Sequence, residues 1–155
     1  MALDDPSNGR AASWAITSGK GGVGKTTLSL NLGIALSQQG YQVLLMDADL
    51  GLANVDILLG LSPELTIQDV LSGEASALDV VLEGPEGLTV LPAASGVAER
   101  DAWQPEDRYR IAEELGRLER GFDLILIDTG AGISPKVIDF VLSADRMMVV
   151  AVPEP

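Results

Sequence analysis

An eight-residue stretch near the amino terminus has the residue types and spacing of a phosphate-binding loop. It reads Gly-Lys-Gly-Gly-Val-Gly-Lys-Thr over residues 19–26 and fits the pattern Gly-x-x-x-x-Gly-Lys-Ser/Thr. Glycines let backbone N–H groups turn toward a phosphate, and the helix that follows adds the positive end of its dipole. Lys25 is expected to reach the β- and γ-phosphates, and the Thr26 hydroxyl to bind Mg²⁺. The predicted nucleotide contacts in this loop are Gly19, Lys20, Gly21, Gly22, Val23, Gly24, Lys25, Thr26 and Thr27.

Two acidic segments follow apolar runs and could complete such a site. Residues 124–127 are all apolar and lead into Asp128, the form of a motif whose aspartate holds Mg²⁺, often through water. Asp47 and Asp49 follow the apolar run 43–46. In an extended segment, side chains two residues apart point the same way. We therefore expect one of these two acids to serve the metal shell and the other to orient an attacking water.

Strand-like and helical runs alternate along the chain and must position these residues. The predicted strands span residues 14–17, 42–46, 88–91, 122–127 and 146–152, and the predicted helices span residues 25–39, 66–71, 78–82, 105–120 and 135–143. This alternation indicates an α/β fold with a doubly wound, mostly parallel sheet and helices on both faces, as in P-loop NTPases. Residues 1–12 are predicted to form a flexible leader, and residues 13–155 a single domain.

The first predicted helix carries apolar residues at helical spacing. One face consists of Leu28, Leu32, Ala35 and Leu36, and the other face has Leu30 and Ile34. A helix that is apolar on two sides is expected to be substantially buried.

Composition restricts both the chemistry and the partners. The chain has no cysteine and no histidine, which excludes disulfides, cysteine-held metal clusters and the usual general base. Its net charge of −13 argues against direct nucleic-acid binding by this segment. No secretory signal and no apolar run approaching about 18 residues is present, so a cytoplasmic location is expected.

The end of the chain lies just past a predicted strand. Doubly wound sheets place ligand-binding loops beyond the carboxyl ends of their strands. We therefore expect the chain to be the amino-terminal part of a longer protein.

Together these motifs resemble the MinD/ParA family of P-loop ATPases, whose mark is a second lysine in the loop, here Lys20. Segments 47–60, 91–95, 127–134 and 153–155 are most similar to the MinD-like ATPases that set the number and placement of bacterial flagella. The resemblance implies ATP and Mg²⁺ as cofactors. It also implies a homodimer in the ATP-bound state that returns to monomers after hydrolysis.

The resemblance also assigns roles to individual residues. Lys25 would bind the phosphates in its own subunit, and Lys20 would reach the partner's nucleotide. Asp49 would position the attacking water. Gly132 would approach the γ-phosphate through its backbone, and Pro153 would belong to the nucleotide contacts. The metal set implied by the family is Thr26 and Asp128, with Asp47 in the outer shell.

Some family features differ or lie outside the chain. The division-site regulators carry a proline where this chain has Gly130. The family's membrane-binding helix is expected beyond Pro155. The flagellar branch often has an amino-terminal motif for a partner GTPase of the signal-recognition-particle type, and residues 1–12 contain no recognisable copy.

Several other functions stay open at this point. A DNA- or plasmid-partitioning ATPase and a division-site ATPase belong to the same family. The absence of cysteine argues against a reductase or metal-cluster carrier, and the presence of only two tyrosines argues against a tyrosine autokinase. A nucleotide-binding fragment without turnover is the remaining alternative.

Overall fold

A six-stranded sheet organises the computed structural model, which describes residues 10–49, 54–93 and 105–153. The strands are β1 (Ala12–Ser18), β2 (Val43–Ala48), β3 (Leu82–Glu83), β4 (Thr89–Leu91), β5 (Leu124–Ala131) and β6 (Arg146–Val149). The helices are α1 (Lys25–Ser37), α2 (Val55–Leu59), α3 (Ile67–Ser72), α4 (Ala77–Val80), α5 (Pro105–Leu118) and α6 (Pro135–Ser143). None of the helices in these described ranges is both long and apolar enough to cross a membrane.

The strand order is β3-β4-β2-β5-β1-β6, and only the short β3 runs antiparallel to its neighbour. The predicted doubly wound, mostly parallel sheet is therefore confirmed. Its central strands β1, β2 and β5 have parallel neighbours on both sides. Their carboxyl ends meet at one edge, which is where such sheets bind ligands.

The core lies on both faces of the sheet. Successive residues of a strand point to opposite faces, and β2 shows this directly. Leu44 and Met46 belong to the cluster that includes α3 and α4, whereas Val43 and Leu45 belong to the cluster that includes Leu30 of α1. Burial on both faces explains why β2 and β5 read as continuous apolar runs rather than alternating ones.

The face of helix α1 that is buried against the sheet differs from the face that carries Leu28 and Ala35. The expectation that Leu28 and Ala35 are buried is wrong, because Leu28 is 40% exposed and Ala35 is exposed too. The buried residues of α1 are Lys25, Ser29, Leu30 and Gly33. A Cβ on Gly33 would lie 3.0 Å from Leu88 Cδ1, so the small residue lets the helix approach the sheet closely. This close approach brings the start of α1 against the site.

Three boundaries extend beyond their predicted positions. β2 continues through Asp47 to Ala48, and β5 continues through Asp128 to Ala131, so both candidate acids lie within strands. β1 begins at Ala12, inside the predicted leader 1–12, whose first nine residues lie outside the described ranges. The helix α2 and the strand β3 were not predicted.

The residues just before β1 are tied to the fold. The Ala11 N–H donates to the Glu119 carbonyl at 2.9 Å, and Arg10 forms ion pairs with Glu119 and Asp145. Asp145 Oδ2 also accepts hydrogen bonds from the Ser13 N–H at 2.9 Å and from its hydroxyl at 2.8 Å. The last residues of the predicted leader therefore contact the end of α5 and the turn between α6 and β6.

Replacing Asp145 with alanine is expected to lower the free energy of unfolding by about 1–2 kcal/mol at neutral pH, because it leaves the two Ser13 donors without their acceptor and Arg10 with Glu119 as its remaining carboxylate partner. Burial raises the pKa of Asp145, but the hydrogen bonds from Ser13 and the charge of Arg10 outweigh it and hold the pKa below its usual value. A carboxyl group with a lowered pKa in the folded state stabilises the protein above its unfolded-state pKa. That contribution is lost as the pH falls through the folded-state value.

Urea unfolding of wild type and Asp145→Ala at pH 7 and at pH 3 checks this expectation. The difference between the two proteins should shrink at the lower pH. A difference that is the same at both pH values would contradict the role of the ionised carboxylate.

Candidate functional site

The glycine-rich loop connects the end of β1 to the start of α1. β1 ends at Ser18, α1 begins at Lys25, and Gly24 is the residue immediately before the helix. Gly22 and Gly24 have positive φ angles of 76° and 88°, a region that side chains with a Cβ rarely adopt. The Ser18 hydroxyl donates to the Lys20 carbonyl at 2.9 Å and so braces the start of the loop. The loop therefore adopts the tightly turned backbone that its glycines led us to expect.

A cavity of about 750 Å³ opens in front of this loop, at the carboxyl ends of the central strands. Its size is within the range of small-molecule sites in proteins. The lining combines the loop, the ends of β2 and β5, and the first residues of α2 and α6. The lining residues are Ser18, Gly21, Gly22, Val23, Gly24, Lys25, Thr26, Thr27, Ala48, Asp49, Asn54, Ile57, Leu58, Gly130, Ala131, Ser134, Lys136 and Val137.

A buried ion pair lies at the base of the site. Lys25 Nζ is 3.3 Å from Asp128 Oδ1, and the two side chains are only 7% and 1% exposed. The Ser29 hydroxyl lies 3.0 Å from the same Asp128 oxygen. A buried charge is costly unless it is paired and hydrogen-bonded. The pair therefore holds the lysine of the loop and the acid of β5 together.

The second oxygen of Asp128 has a different environment. Among the described residues, Asp128 Oδ2 is buried and has no hydrogen-bond partner. An unpartnered carboxylate oxygen beside a phosphate loop fits a Mg²⁺ ion or one of its water ligands. Proteins usually bind Mg²⁺ through one or two carboxylates together with phosphate oxygens.

Asp47 is buried next to Asp128 in the paired strands β2 and β5. Its Oδ1 accepts from the Asp49 N–H at 3.0 Å, and its Oδ2 accepts from the N–H groups of Asn54 and Val55 at 3.1 and 3.2 Å. Burial raises the pKa of Asp47 to about 6, although these three hydrogen bonds hold it lower than burial alone would. Both oxygens are thus used by backbone N–H groups just after β2 and at the start of α2, which fits an outer-shell role better than direct metal ligation.

Asp49 lines the cavity from the end of β2 and lies beside Gly130 of β5. A Cβ placed on Gly130 would be 3.5 Å from Asp49 Oδ1 and 3.6 Å from Val137 Cγ2. The absence of a side chain at this position leaves room for the Asp49 carboxylate above β5. Asp49 therefore lies where a carboxylate can face a ligand held by the loop.

Four predicted nucleotide contacts lie away from the described lining of the cavity: Gly19, Lys20, Gly132 and Pro153. Gly19 and Lys20 are exposed at the start of the loop, and Pro153 is exposed after β6. The Gly132 N–H donates to the Ser18 carbonyl at 2.9 Å. A backbone contact of this N–H with the γ-phosphate therefore requires that bond to open. The roles assigned to these residues stay predictions.

Several residues that line the cavity or support its lining were not predicted from the sequence. Ser134 and Pro135 are a helix-capping serine followed by a first-turn proline, a signal that could have placed the start of α6 at the site. Lys136, the third lysine of the chain, follows them. Ser29 could have been found from its spacing, since it follows Lys25 by one helical turn. Ile57 and Leu58 gave no such signal, because α2 was not predicted.

Comparisons with known proteins agree with this geometry. A family model described as an AAA domain matches residues 12–155. The chain is 44% identical over 141 residues to the antiactivator FleN of Pseudomonas aeruginosa, covering 91% of this chain and 50% of FleN. It is 38% identical over 144 residues to the flagellum site-determining protein YlxH of Helicobacter pylori, covering 91% and 48%. The chain thus spans about half the length of these curated relatives.

A solved structure supports the same assignment. The septum site-determining protein MinD of Pyrococcus horikoshii, complexed with Mg-ADP, matches with a TM-score of 0.80 and 33% identity, covering 93% of this chain and 59% of that one. The family resemblance based on the two-lysine loop is thereby confirmed. The chain belongs to the AAA-domain family of P-loop proteins and, within it, to the MinD/ParA group.

Proposed function

We propose that the protein is a Mg²⁺-dependent ATPase that dimerises when it binds ATP and regulates the number or placement of flagella. The observation that carries this proposal is the buried Lys25–Asp128 pair at the base of a cavity lined by the glycine-rich loop. The names of FleN and YlxH, and the Mg-ADP in the related MinD structure, support the nucleotide and the flagellar role.

The cavity lining supports ATP hydrolysis, because Lys25, Thr26 and Asp49 belong to it and Lys25 is paired with Asp128 behind it. Water attacks the γ-phosphorus, the bond to the β–γ bridging oxygen breaks, and ADP and phosphate are released. The loop N–H groups and Lys25 hold the phosphates, and Asp49 orients the water. Thr26 and Asp128 are the residues suited to hold Mg²⁺, since Asp128 Oδ2 has no hydrogen-bond partner in the described part of the chain, and Asp47 would lie in the outer shell. When bound, the metal ion supplies charge neutralisation at the phosphates.

The proposed dimer is supported by the surface around the cavity mouth. Ile57 and Leu58 line the cavity but are 66% and 56% exposed, and Ile133, just after β5, is 84% exposed. Exposed apolar side chains in or next to the lining of a site can form part of a surface that a partner covers. ATP can drive association only if it binds the dimer more tightly than the monomer. Lys20, exposed at the loop, is the residue proposed to make that difference.

Replacing Lys20 with alanine is expected to reduce ATP hydrolysis about 100-fold while changing ADP affinity less than about threefold. The reason is that Lys20 is proposed to act on the nucleotide of the partner subunit, as a cation stabilising charge in the transition state. Steady-state hydrolysis and equilibrium ADP titration measure the two effects.

Arg120→Ala is the matched control, because it removes an exposed cation just after α5, outside the cavity lining. It should leave both quantities unchanged. If Lys20→Ala hydrolyses ATP at the wild-type rate, the proposed role of a second lysine is wrong.

A role in septum placement is the second candidate, because the related structure with bound Mg-ADP is that of a septum site-determining protein. Gly130 favours the flagellar role, since the division-site regulators carry proline at that position. Deleting the gene in its source organism separates the two. A change in flagellar number or position supports the flagellar role, and anucleate minicells with normal flagella support the septum role.

The proposed partners follow from the same assignment. They are a second copy of the protein, a flagellar regulator or GTPase, and a membrane surface reached through a segment outside this chain. Direct nucleic-acid binding is not proposed for this acidic segment. Hydrolysis measured with and without anionic lipid vesicles tests the membrane link, with stimulation expected for a protein that carries such a segment.

A further inference from the structure

Ser29 makes a contact that links helix α1 to the acid of β5. It is fully buried in the second turn of α1, and its hydroxyl lies 3.0 Å from Asp128 Oδ1 and 2.9 Å from the Lys25 carbonyl. A hydroxyl has one hydrogen to donate. The carbonyl contact is the common bond from a helical serine to the residue four positions earlier. The contact with Asp128 crosses to another element, and we assign the hydroxyl hydrogen to it because an ionised carboxylate is a stronger acceptor than a carbonyl.

The two oxygens of Asp128 are treated differently by their surroundings. Oδ1 receives both the Lys25 ammonium at 3.3 Å and the Ser29 hydroxyl. Oδ2 has no partner among the described residues. The carboxylate is therefore held by one oxygen, while the other is buried behind the cavity lining with no bond to restrain it from the described residues.

The proposed binding of phosphate by Lys25 would change one of these two contacts. If Lys25 turns its ammonium toward a phosphate, Oδ1 loses a charged donor. Ser29 cannot move in the same way, because it is fixed in the buried face of α1 next to Gly33 and Leu30. After the lysine has left, the serine hydroxyl is the contact that still prevents the carboxylate from rotating.

We propose that Ser29 is a positioning residue that keeps Asp128 Oδ2 directed at Mg²⁺ when Lys25 is engaged by the nucleotide. The inference rests on the proposed function, since it requires Mg²⁺ and nucleotide at this site. It adds a residue of α1, outside the loop, to the groups that determine metal affinity. Residues that orient a metal ligand typically change metal affinity by about 10–100-fold when they are removed.

A purely structural role for Ser29 makes a different prediction. Loss of a buried hydroxyl would then reduce stability without changing how much Mg²⁺ improves nucleotide affinity. The measurement that separates the two roles is the ratio of ADP affinity with Mg²⁺ to ADP affinity in excess EDTA. Equilibrium titration gives this ratio, and thermal unfolding without ligands gives the stability.

Ser29→Ala is expected to reduce the Mg²⁺ enhancement of ADP affinity about 10-fold. ADP affinity in EDTA should change less than about twofold. Ser37→Ala is the matched control, because Ser37 lies on the same helix and its buried hydroxyl has no hydrogen-bond partner among the described residues. That variant should keep the wild-type ratio. Ser29→Thr, which retains a hydroxyl, should recover most of the enhancement.

Each outcome decides the question. An unchanged ratio in Ser29→Ala, whatever its thermal stability, overturns the inference. If Ser29→Ala does not fold, Ser29→Cys replaces it, because a thiol is a similar size but a weak donor; a wild-type ratio in that variant likewise overturns it. If the wild-type protein binds no ADP under either condition, the proposed function fails, and this inference fails with it. If the wild-type protein binds ADP and Ser29→Ala keeps the full Mg²⁺ enhancement of ADP affinity, this inference is overturned and the proposed function is not.

Discussion

Replacement of Lys25 with alanine is expected to lower the free energy of unfolding by about 3–5 kcal/mol and to abolish measurable nucleotide binding. The Lys25 ammonium is the cation paired with Asp128, whose carboxylate is buried. Asp47 is a second buried carboxylate directly across from it in the paired strands. Without the lysine, two buried acids face each other, and the cost of the unpaired charge exceeds the loss of an ordinary contact.

A double variant distinguishes the two roles of Lys25. Asp128→Asn added to Lys25→Ala removes the unpaired charge, so most of the lost stability should return. Nucleotide affinity should not return, because the phosphates still lack their cation. Urea unfolding and ADP titration of wild type, both single variants and the double variant complete the cycle.

Two results would contradict this account of Lys25. The first is a loss of stability in the double variant that equals the sum of the losses in the two single variants, because two residues in direct contact should not have additive effects. The second is that Lys25→Ala binds Mg·ADP as tightly as wild type does.

Replacement of Asp49 with alanine is expected to reduce ATP hydrolysis by about 100-fold or more while ATP affinity stays within about threefold of wild type. Asp49 lines the cavity at the end of β2, where Gly130 leaves room for its carboxylate. Its proposed role is to orient water, which affects the chemical step and not the binding of phosphates. Because hydrolysis is proposed to release the dimer, the variant should also accumulate as an ATP-bound dimer.

Single-turnover hydrolysis and light scattering in the presence of ATP measure these two effects. Glu83→Ala is a suitable control, because it removes an exposed acid from the edge strand β3, outside the cavity lining. It should behave like wild type. An unchanged rate in Asp49→Ala would remove the residue from its assigned role.

The central strands and the loop could be predicted from sequence for a clear physical reason. Parallel strands buried on both faces must be apolar throughout, which makes runs such as 43–46 and 124–127 recognisable. The wound loop needs glycines at positions of positive φ, and it has them at Gly22 and Gly24. The closeness of Asp47 and Asp128 could also be predicted, because the ends of parallel strands in such a sheet lie at one edge.

Other features depend on contacts between distant segments and could not be predicted. The buried face of α1 is set by the close approach at Gly33, where Leu88 fills the space that a side chain would need. An apolar pattern cannot reveal that the smaller residues face the sheet. The contacts of Asp47 with the backbone ahead of α2, and of Ser29 with Asp128, exist only after β2, β5 and α1 have packed. Short elements such as α2 and β3 carry too few residues to show a period.

We propose that the loop over residues 19–26 and the acids at the ends of β2 and β5 form one Mg·nucleotide site. The most direct test is a crystal structure of the protein with Mg²⁺ and a non-hydrolysable ATP analogue. We expect phosphates held by the loop N–H groups and by Lys25, with Thr26 and Asp128 as the residues that would hold the metal ion. A nucleotide bound elsewhere, or a Lys25–Asp128 pair that stays closed beside a bound triphosphate, would contradict it.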